Sequence, residues 1–175
     1  MQAWRPIVLL VLETGCAHST LPTDGTFQKG GLSVQVGPVP VAWTPIQLSG
    51  ADIAYRDEPA AGTAMLGVHC GRNLDAPLTI LTEHLIMGTT DRDFVAQDVV
   101  PFDDREALHT VLRAKLDGVL MEYDLYVTKK DGCVTDLVYV APPQGFAAGA
   151  PDFERFATGL RARWAAPIGT MASTP

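Results

Sequence analysis

The stretch from residue 108 to residue 141 constrains the fold most strongly, because apolar and polar residues alternate along it in three successive runs. A period of two predicts β-strands with one face on a core and the other toward solvent. Asp-Gly dipeptides at residues 117–118 and 131–132 separate the runs. Asp-Gly favours tight hairpin turns, because both residues tolerate positive φ angles. We therefore predict an antiparallel meander with strands over residues 108–116, 119–127 and 134–141.

The polar face of the first two strands is a candidate binding surface. Its side chains are His109, Arg113, Glu122, Asp124 and Tyr126. If no helix covers this face, these side chains form a polar recognition surface. Cross-strand salt bridges on a half-exposed sheet are the alternative account of the same pattern.

A first helix is predicted between the early strands and the meander. Asp75 is placed to cap it and Pro77 lies in its first turn, where a missing N–H is harmless. Gly88 ends it. Its apolar stripe is predicted to comprise Leu78, Leu81, Leu85 and Ile86.

A second helix is predicted to open at Pro151, after a Gly/Ala-rich loop over residues 144–150. Its apolar residues recur at helical spacing, which is typical of a helix packed on a sheet. They are Phe153, Phe156, Ala157, Leu160 and Trp164.

Before the first helix, short strands are predicted over residues 32–36, 46–48, 53–55 and 64–70, with Trp43 filling the core beneath a proline-rich loop. The expected fold class is therefore α+β.

The N-terminus has the order of a bacterial lipoprotein signal peptide. Arg5 precedes an apolar run over residues 7–12, and Gly15 directly precedes Cys16. We predict that residues 1–15 are removed and that Cys16 carries lipid. Residues 16–31 are then a flexible tether, residues 32–164 a single domain and residues 165–175 a disordered tail.

Two alternatives remain for this segment, and a third is excluded. Glu13 occupies the position where lipoprotein signals usually carry an aliphatic residue. Ordinary signal cleavage after Ser19 and a buried N-terminal helix both remain open. A transmembrane helix is excluded, because it needs about 20 apolar residues.

The cysteines predict a disulfide. With Cys16 lipidated, Cys70 and Cys133 are left as a pair. An oxidising envelope favours such a bond. A metal site using His69 with both cysteines is the alternative, although a CxxC spacing and a fourth ligand are missing.

The net charge and the absence of known catalytic and cofactor motifs restrict the classes of function. The net charge of −7 opposes binding to nucleic acid phosphates. No GxSxG, HExxH, P-loop or GxGxxG motif occurs, so neither a cofactor nor catalytic residues are predicted. An acidic cluster could offer oxygen ligands to Ca²⁺, but it lacks the Ca²⁺-loop pattern, and a solvated edge is the favoured interpretation. It comprises Asp91, Asp93, Asp98, Asp103, Asp104 and Glu106.

The order of elements resembles the PsbP-like fold, in which helices flank an antiparallel sheet, as found in small envelope lipoproteins. The resemblance rests on the Gly31–Val36 segment, Pro45 after Trp43, the 78–87 helix and residues 105–143 ending in Pro-Pro, together with the closing Ala150–Phe156. It implies a non-catalytic binding or accessory protein of the cell envelope and carries no site residues with it.

The sequence thus predicts a lipid-anchored envelope protein that binds another envelope protein or a small ligand. Ala17 after the cysteine suggests sorting to the outer membrane. A small envelope hydrolase with a site near His109 is the alternative function.

Overall fold

The computed structural model describes residues 25–29, 31–71 and 75–164. The predicted signal peptide, Cys16 and the tail over residues 165–175 lie outside the described residues, as does the tether as far as residue 24.

Ten strands and two helices occur in the described part of the chain. In order they are β1 (Thr26–Lys29), β2 (Leu32–Gln35), β3 (Trp43–Ile46), β4 (Ile53–Asp57), β5 (Gly62–Cys70), α1 (Leu78–Leu85), β6 (Thr89–Phe102), β7 (Arg105–Leu116), β8 (Val119–Lys130), β9 (Cys133–Ala141), α2 (Pro143–Thr158) and β10 (Arg161–Trp164).

The strands form two sheets. A seven-stranded sheet has the order β3-β4-β5-β9-β8-β7-β6, and a three-stranded sheet has the order β1-β2-β10. Neighbouring strands in both sheets are antiparallel. Helices α1 and α2 pack on opposite faces of the large sheet, which we call the α1 side and the α2 side. The predicted α+β class is confirmed.

The predicted meander is confirmed, but its strands are longer than expected and a fourth strand, β6, precedes it. The two Asp-Gly turns have positive φ at both residues, and the turn before β7 is Asp103-Asp104 with φ of 44° and 62°. Aspartate adopts this left-handed conformation because its short side chain can hydrogen-bond locally. The sequence analysis missed β6 because its alternation is interrupted by register shifts between Thr90 and Asp93 and between Phe94 and Ala96.

The predicted start of the second helix is wrong. Helix α2 begins at Pro143 and includes the whole stretch over residues 144–150 that was predicted as a loop, and Pro151 lies inside it. The glycines that resembled loop residues permit close packing instead. A Cβ on Gly149 would lie 2.6 Å from Asp57 Oδ2, so only glycine lets the helix approach the sheet here. Packing of its aromatic face outweighs the poor helix propensity of this segment.

The predicted cap and stripe of the first helix are also wrong in part. Pro77 occupies the N-cap position of α1, and Asp75 instead pairs with Lys129 Nζ at 3.1 Å. Thr82 and Ile86 are buried, whereas Leu85 is exposed. Thr82 tolerates burial because its hydroxyl donates to the Leu78 carbonyl at 2.9 Å.

The α2 side holds the larger core, built around aromatic rings. Phe153 is fully buried, and its ring centroid lies 5.5 Å from that of Tyr139. Trp43 is buried as predicted and packs edge-on against Phe156 at 5.5 Å. The prediction that Trp164 joins this face is wrong, because Trp164 lies in β10 and is half exposed.

The small sheet begins earlier than the predicted tether allows. Strand β1 lies inside residues 16–31 and pairs with β2, so regular structure starts before residue 32. Asp103, in the β6–β7 turn, connects this turn to the small sheet through hydrogen bonds with β10. Its buried carboxylate accepts hydrogen bonds from the Ala162 N–H at 2.9 Å and from Arg163 at 2.7 Å. Burial alone would raise the pKa of Asp103, but these bonds and Lys130 hold it below its ordinary value.

Candidate functional site

The predicted polar face lies on the α2 side of strands β7 and β8. His109 lies opposite Tyr126, and Arg113 lies opposite Glu122. Asp124 lies on the same face, opposite Val111. All five predicted residues therefore share one face of the sheet, which we call the polar strip, with Tyr126 buried against Phe153 of α2.

Two tight pairs organise the polar strip. His109 Nε2 lies 2.8 Å from Asp124 Oδ1, and Arg113 Nε donates to Glu122 Oε1 at 2.7 Å. The imidazole of His109 also stacks on the ring of Tyr126, with centroids 4.2 Å apart and planes inclined by 10°. Asp124 and Tyr126 thus fix the orientation of the His109 ring.

The acids of the strip are more buried than its bases. The side chains of Asp124 and Glu122 are 9% and 14% exposed, whereas those of His109 and Arg113 are 26% and 53% exposed. Burial, reinforced by Asp124 and Glu154, raises the pKa of Tyr126 above its ordinary value, so its hydroxyl stays protonated. The polar strip therefore presents its basic groups to solvent, with its carboxylates more deeply buried beneath them.

Strand β6 adds acids that the sequence analysis did not connect to this face. Asp98 lies opposite His109 and Asp93 opposite Arg113, while Asp91 pairs with Lys115 Nζ at 2.8 Å. His109, Arg113 and Lys115 thus each have an acid of β6 beside them, and His109 and Arg113 also contact an acid of β8. We call this arrangement the acid–base ladder; it consists of the bases His109, Arg113 and Lys115 and the acids Asp91, Asp93, Asp98, Glu122 and Asp124. The acid spacing alone could not reveal it, since the bulges change which residues of β6 share a face.

The His109–Asp124 pair has the geometry of a general base and the carboxylate that orients it. A hydrolase would also need a nucleophile within reach of the imidazole. Among the described residues, the register neighbours of the pair on this face are Asp98, Tyr126, Val111 and Tyr139. None of these is a serine, threonine or cysteine. Nor do three His, Cys, Asp or Glu side chains converge as metal ligands anywhere in residues 25–29, 31–71 and 75–164.

The predicted disulfide is confirmed. Cys70 and Cys133 lie directly opposite each other on β5 and β9, with Sγ atoms 2.05 Å and Cα atoms 4.1 Å apart. Both cysteines are therefore engaged in a covalent bond, which excludes the alternative metal site with His69.

A cavity of about 320 Å³ lies beside this disulfide, away from the polar strip. Lys129, Lys130 and Arg105 line it together with Asp75 and Asp131. Lys129 is held by Asp75 and the Ala76 carbonyl, and Lys130 by Asp103. The sequence analysis did not single out these lysines, although two adjacent lysines at residues 129 and 130 were the available signal.

The α1 side contains two buried polar atoms without partners in the described residues, Tyr123 Oη and Asp136 Oδ1. The other oxygen of Asp136 lies 3.6 Å from His69 Nε2, beyond hydrogen-bond length. Burial raises the pKa of Asp136 to about 6, and His69 opposes this only in part. Sequence alternation placed Asp136 in a strand but did not mark it as buried.

Solved structures of low sequence identity share this architecture. CyanoP, the cyanobacterial PsbP of Synechocystis sp. PCC 6803, is 12% identical with a TM-score of 0.56, over 79% of this chain and 91% of that one. This chain has a PsbP-like fold. LpqN of Mycobacterium tuberculosis, a protein involved in cell envelope biogenesis, is 16% identical with a TM-score of 0.54, over 77% of this chain and 86% of LpqN.

A protein of Bacteroides thetaiotaomicron VPI-5482 has 16% identity and a TM-score of 0.53, over 79% of this chain but 48% of that protein. No protein-family model and no curated protein sequence matches this chain. Within the described ranges, neither helix is long and apolar enough to cross a membrane.

Proposed function

We propose that this protein is a lipid-anchored component of the cell envelope that works as a non-catalytic binding module. The signal-like order of Arg5, the apolar run over residues 7–12 and Gly15-Cys16 supports export and lipidation. The Cys70–Cys133 bond fits an oxidising compartment. The likeness to LpqN, a protein involved in cell envelope biogenesis, supports the same location.

The observation that carries the binding role is the acid–base ladder. His109 and Arg113 each make a short contact with an acid of β8, so the ladder is an ordered charged surface without an adjoining nucleophile in register. Such a surface suits recognition of an envelope protein or a small polar ligand, because charge complementarity fixes register and selects partners. The membrane is contacted through the lipid, and Ala17 favours the outer membrane.

The anchoring is tested by mass analysis and fractionation of the protein made in its own cells. We expect a mature chain that begins with a lipid-modified Cys16 and sediments with membranes. Cys16→Ser should release the chain from membranes, whereas Cys70→Ser, which leaves Cys16 in place, should not. A mature chain starting at Thr20 or retaining Met1 would refute the anchor.

The binding role is tested by crosslinking and capture from detergent-solubilised envelope with the wild type and the Arg113→Glu variant. This variant places like charges beside Glu122 and Asp93, so a partner held by the ladder should be recovered less. Lys29→Glu, in the small sheet, is the matched charge reversal and should leave recovery unchanged. Equal recovery with all three proteins would contradict a role for the ladder.

A hydrolase is the second candidate, favoured by the 2.8 Å contact between His109 and Asp124. Ester, phosphate and peptide substrates should show no turnover with the purified protein. Turnover that disappears in His109→Ala and persists in His84→Ala, which changes an exposed histidine of α1, would establish the hydrolase and overturn the binding module.

A further inference from the structure

Strand β6 forms one edge of the seven-stranded sheet and pairs only with β7 among the described strands. It is 14 residues long and mostly exposed. An edge strand presents unpaired backbone N–H and C=O groups, which can pair with another extended chain. Most proteins protect such edges, so a long exposed edge calls for an explanation.

The bulges of β6 protect only its first half. The register shifts lie between Thr90 and Asp93 and between Phe94 and Ala96, whereas pairing with β7 is continuous from Ala96 to Phe102. Bulges twist an edge away from incoming strands. A second strand can therefore be added along residues 96–102 but not along the first half.

The hairpin turn determines which backbone groups point outward. Phe102 and Arg105 flank the two-residue turn Asp103-Asp104, and in such a turn the flanking residues hydrogen-bond to each other. Inward and outward groups then alternate, so Phe102 points to β7 and Pro101 points outward. Proline at this outward position costs no hydrogen bond. The outward residues with free N–H groups are consequently Gln97 and Val99.

The side chains along this edge determine which side chains a segment that pairs with it would need. Val99 lies on the α1 side and its side chain is well exposed, at 59%. Asp98 lies on the α2 side, opposite His109, and its carboxylate makes no ion pair with the described residues. An added strand would therefore place apolar side chains on one face and meet the Asp98 carboxylate, which has no ion-pair partner among the described residues, on the other.

We propose that the outer edge of β6 over residues 97–101 binds an extended segment of a partner protein in which basic and apolar residues alternate. The segment adds an eighth strand beside Gln97 and Val99, and its basic side chains face Asp98. A second copy of this chain fits poorly, because two β6 edges would bring their acidic side chains together. This inference deepens the proposed binding role and rests on it, but it does not depend on the lipid anchor.

The test is amide hydrogen exchange, measured by NMR on the purified full chain at low salt. The probe is a capped eight-residue peptide of alternating lysine and valine. When about nine tenths of the protein is bound, exchange at Gln97 and Val99 should slow roughly tenfold. The Asp98 and Val100 amides, which face β7, should be protected with or without the peptide.

Two control peptides separate backbone pairing from charge attraction. A peptide of alternating glutamate and valine should give no protection, because its acids face Asp98. The lysine peptide N-methylated at its valines should lose protection, because it keeps its charge but the backbone edge that places lysine opposite Asp98 can no longer pair. Equal protection by all three peptides, or by none, would overturn the proposal.

Two charge reversals locate the binding. Asp98→Lys should weaken binding of the lysine peptide roughly tenfold, since the attraction between Asp98 and the peptide lysines becomes a repulsion. Glu58→Lys, an equal charge change in the β4–β5 turn, should leave affinity unchanged. An unaltered affinity in Asp98→Lys, with its melting temperature preserved, would refute the assigned edge.

Other outcomes distinguish this proposal from the wider one. Protection of Gln97 and Val99 that grows with protein concentration in the absence of peptide would show self-pairing and overturn the proposal. Lysine-peptide binding that protects no β6 amide would likewise overturn it, while a partner captured from envelope through the ladder would leave the proposed function intact.

Discussion

The two faces of the large sheet differ in whether their buried polar groups have hydrogen-bond partners. On the α2 side, buried Asp57 accepts hydrogen bonds from Tyr139 Oη at 2.8 Å and from the Ala60 N–H at 3.4 Å. On the α1 side, Asp136 and Tyr123 each bury an oxygen without a partner in the described residues. A buried polar atom without a partner costs more than a typical hydrogen bond contributes. The buried polar groups of the α2 side are therefore stabilised by hydrogen bonds. The unpaired buried oxygens of the α1 side lower the stability of the fold locally.

The helices explain the difference. Helix α2 has 16 residues and covers the centre of the sheet with fully buried Phe153 and Phe156. Helix α1 has eight residues, and exposed Ile80 and Met87 lie on it and just beyond it. A short helix packs over less of its face, so the α1 side keeps both unpaired polar atoms and exposed apolar side chains.

The largest expected effect comes from truncating one fully buried side chain on each face. Phe153→Ala should lower the free energy of unfolding by about 4 kcal/mol, because the long helix cannot collapse onto the resulting cavity. Ile86→Ala, also fully buried, should cost about 3 kcal/mol, because the short segment around it can relax. Urea denaturation of both variants measures the difference. A larger loss at Ile86 would reverse the assignment of the better-stabilised face.

The disulfide should contribute nearly as much. Cys70 and Cys133 are separated by 63 residues, and closing such a loop in the unfolded chain is worth about 4 kcal/mol. Replacing both cysteines by serine should lower the melting temperature, and a reductant should do the same to the wild type only. A double variant that melts like the wild type would show that the bond does not constrain the unfolded chain.

The pH dependence of stability tests the unpaired carboxyl of the α1 side. Since the pKa of Asp136 is about 6 in the folded protein and 3.8 ordinarily, the folded state holds more protons between these values. The contribution of Asp136 therefore becomes less favourable as pH rises from about 4 to 6, by about 3 kcal/mol in total. Asp136→Asn stays neutral, so its stability relative to the wild type should increase by that amount between pH 4 and pH 8.

Urea denaturation at pH 4, 6 and 8 measures this relative stability. His69→Gln removes the imidazole whose electrostatic interaction opposes this shift, so it should raise the pKa of the Asp136 carboxyl further. Parallel stability curves for the wild type and Asp136→Asn would show that Asp136 is not buried in this way.

Paired tyrosine variants give the smallest and most direct contrast. Tyr139→Phe removes the hydroxyl that donates to buried Asp57 and should cost about 2 kcal/mol. Tyr123→Phe removes a buried hydroxyl that has no partner in the described residues, so it should be neutral or stabilising. Thermal unfolding of the two variants decides the matter, and equal losses would contradict the difference between the faces.

Much of the fold was predictable because local patterns and tertiary structure agree there. Alternation over β7, β8 and β9 and the two Asp-Gly turns specify the meander, and the disulfide was predicted by taking Cys16 as lipidated, which left Cys70 and Cys133 as a pair. Helix α2 was misjudged where Gly145 and Gly149 suggest a loop, since a glycine's role in close packing depends on what lies across from it. Strand β6 was missed because bulges break the period on which strand prediction depends.

The candidate site was predictable only in part. Alternation placed all five residues of the polar strip on one face, since direction alternates reliably within a regular strand. It did not connect Asp93 and Asp98 to that face, because doing so requires the register of β6 against β7. It also grouped Asp103 with the solvated acids, although Asp103 is buried and holds β10 to the β6–β7 turn.

By itself, the sequence determined the α+β class, the meander with its two Asp-Gly turns, the cysteine pairing and the composition of the polar strip. Only the tertiary structure decided which acids face which bases, which aspartates are buried and which strand lies at the open edge of the sheet. The first set depends on residues close in sequence, apart from the cysteine pairing, which was predicted on the premise that Cys16 carries lipid. The second depends on strand register and sheet order, which arise from packing between segments far apart in the chain.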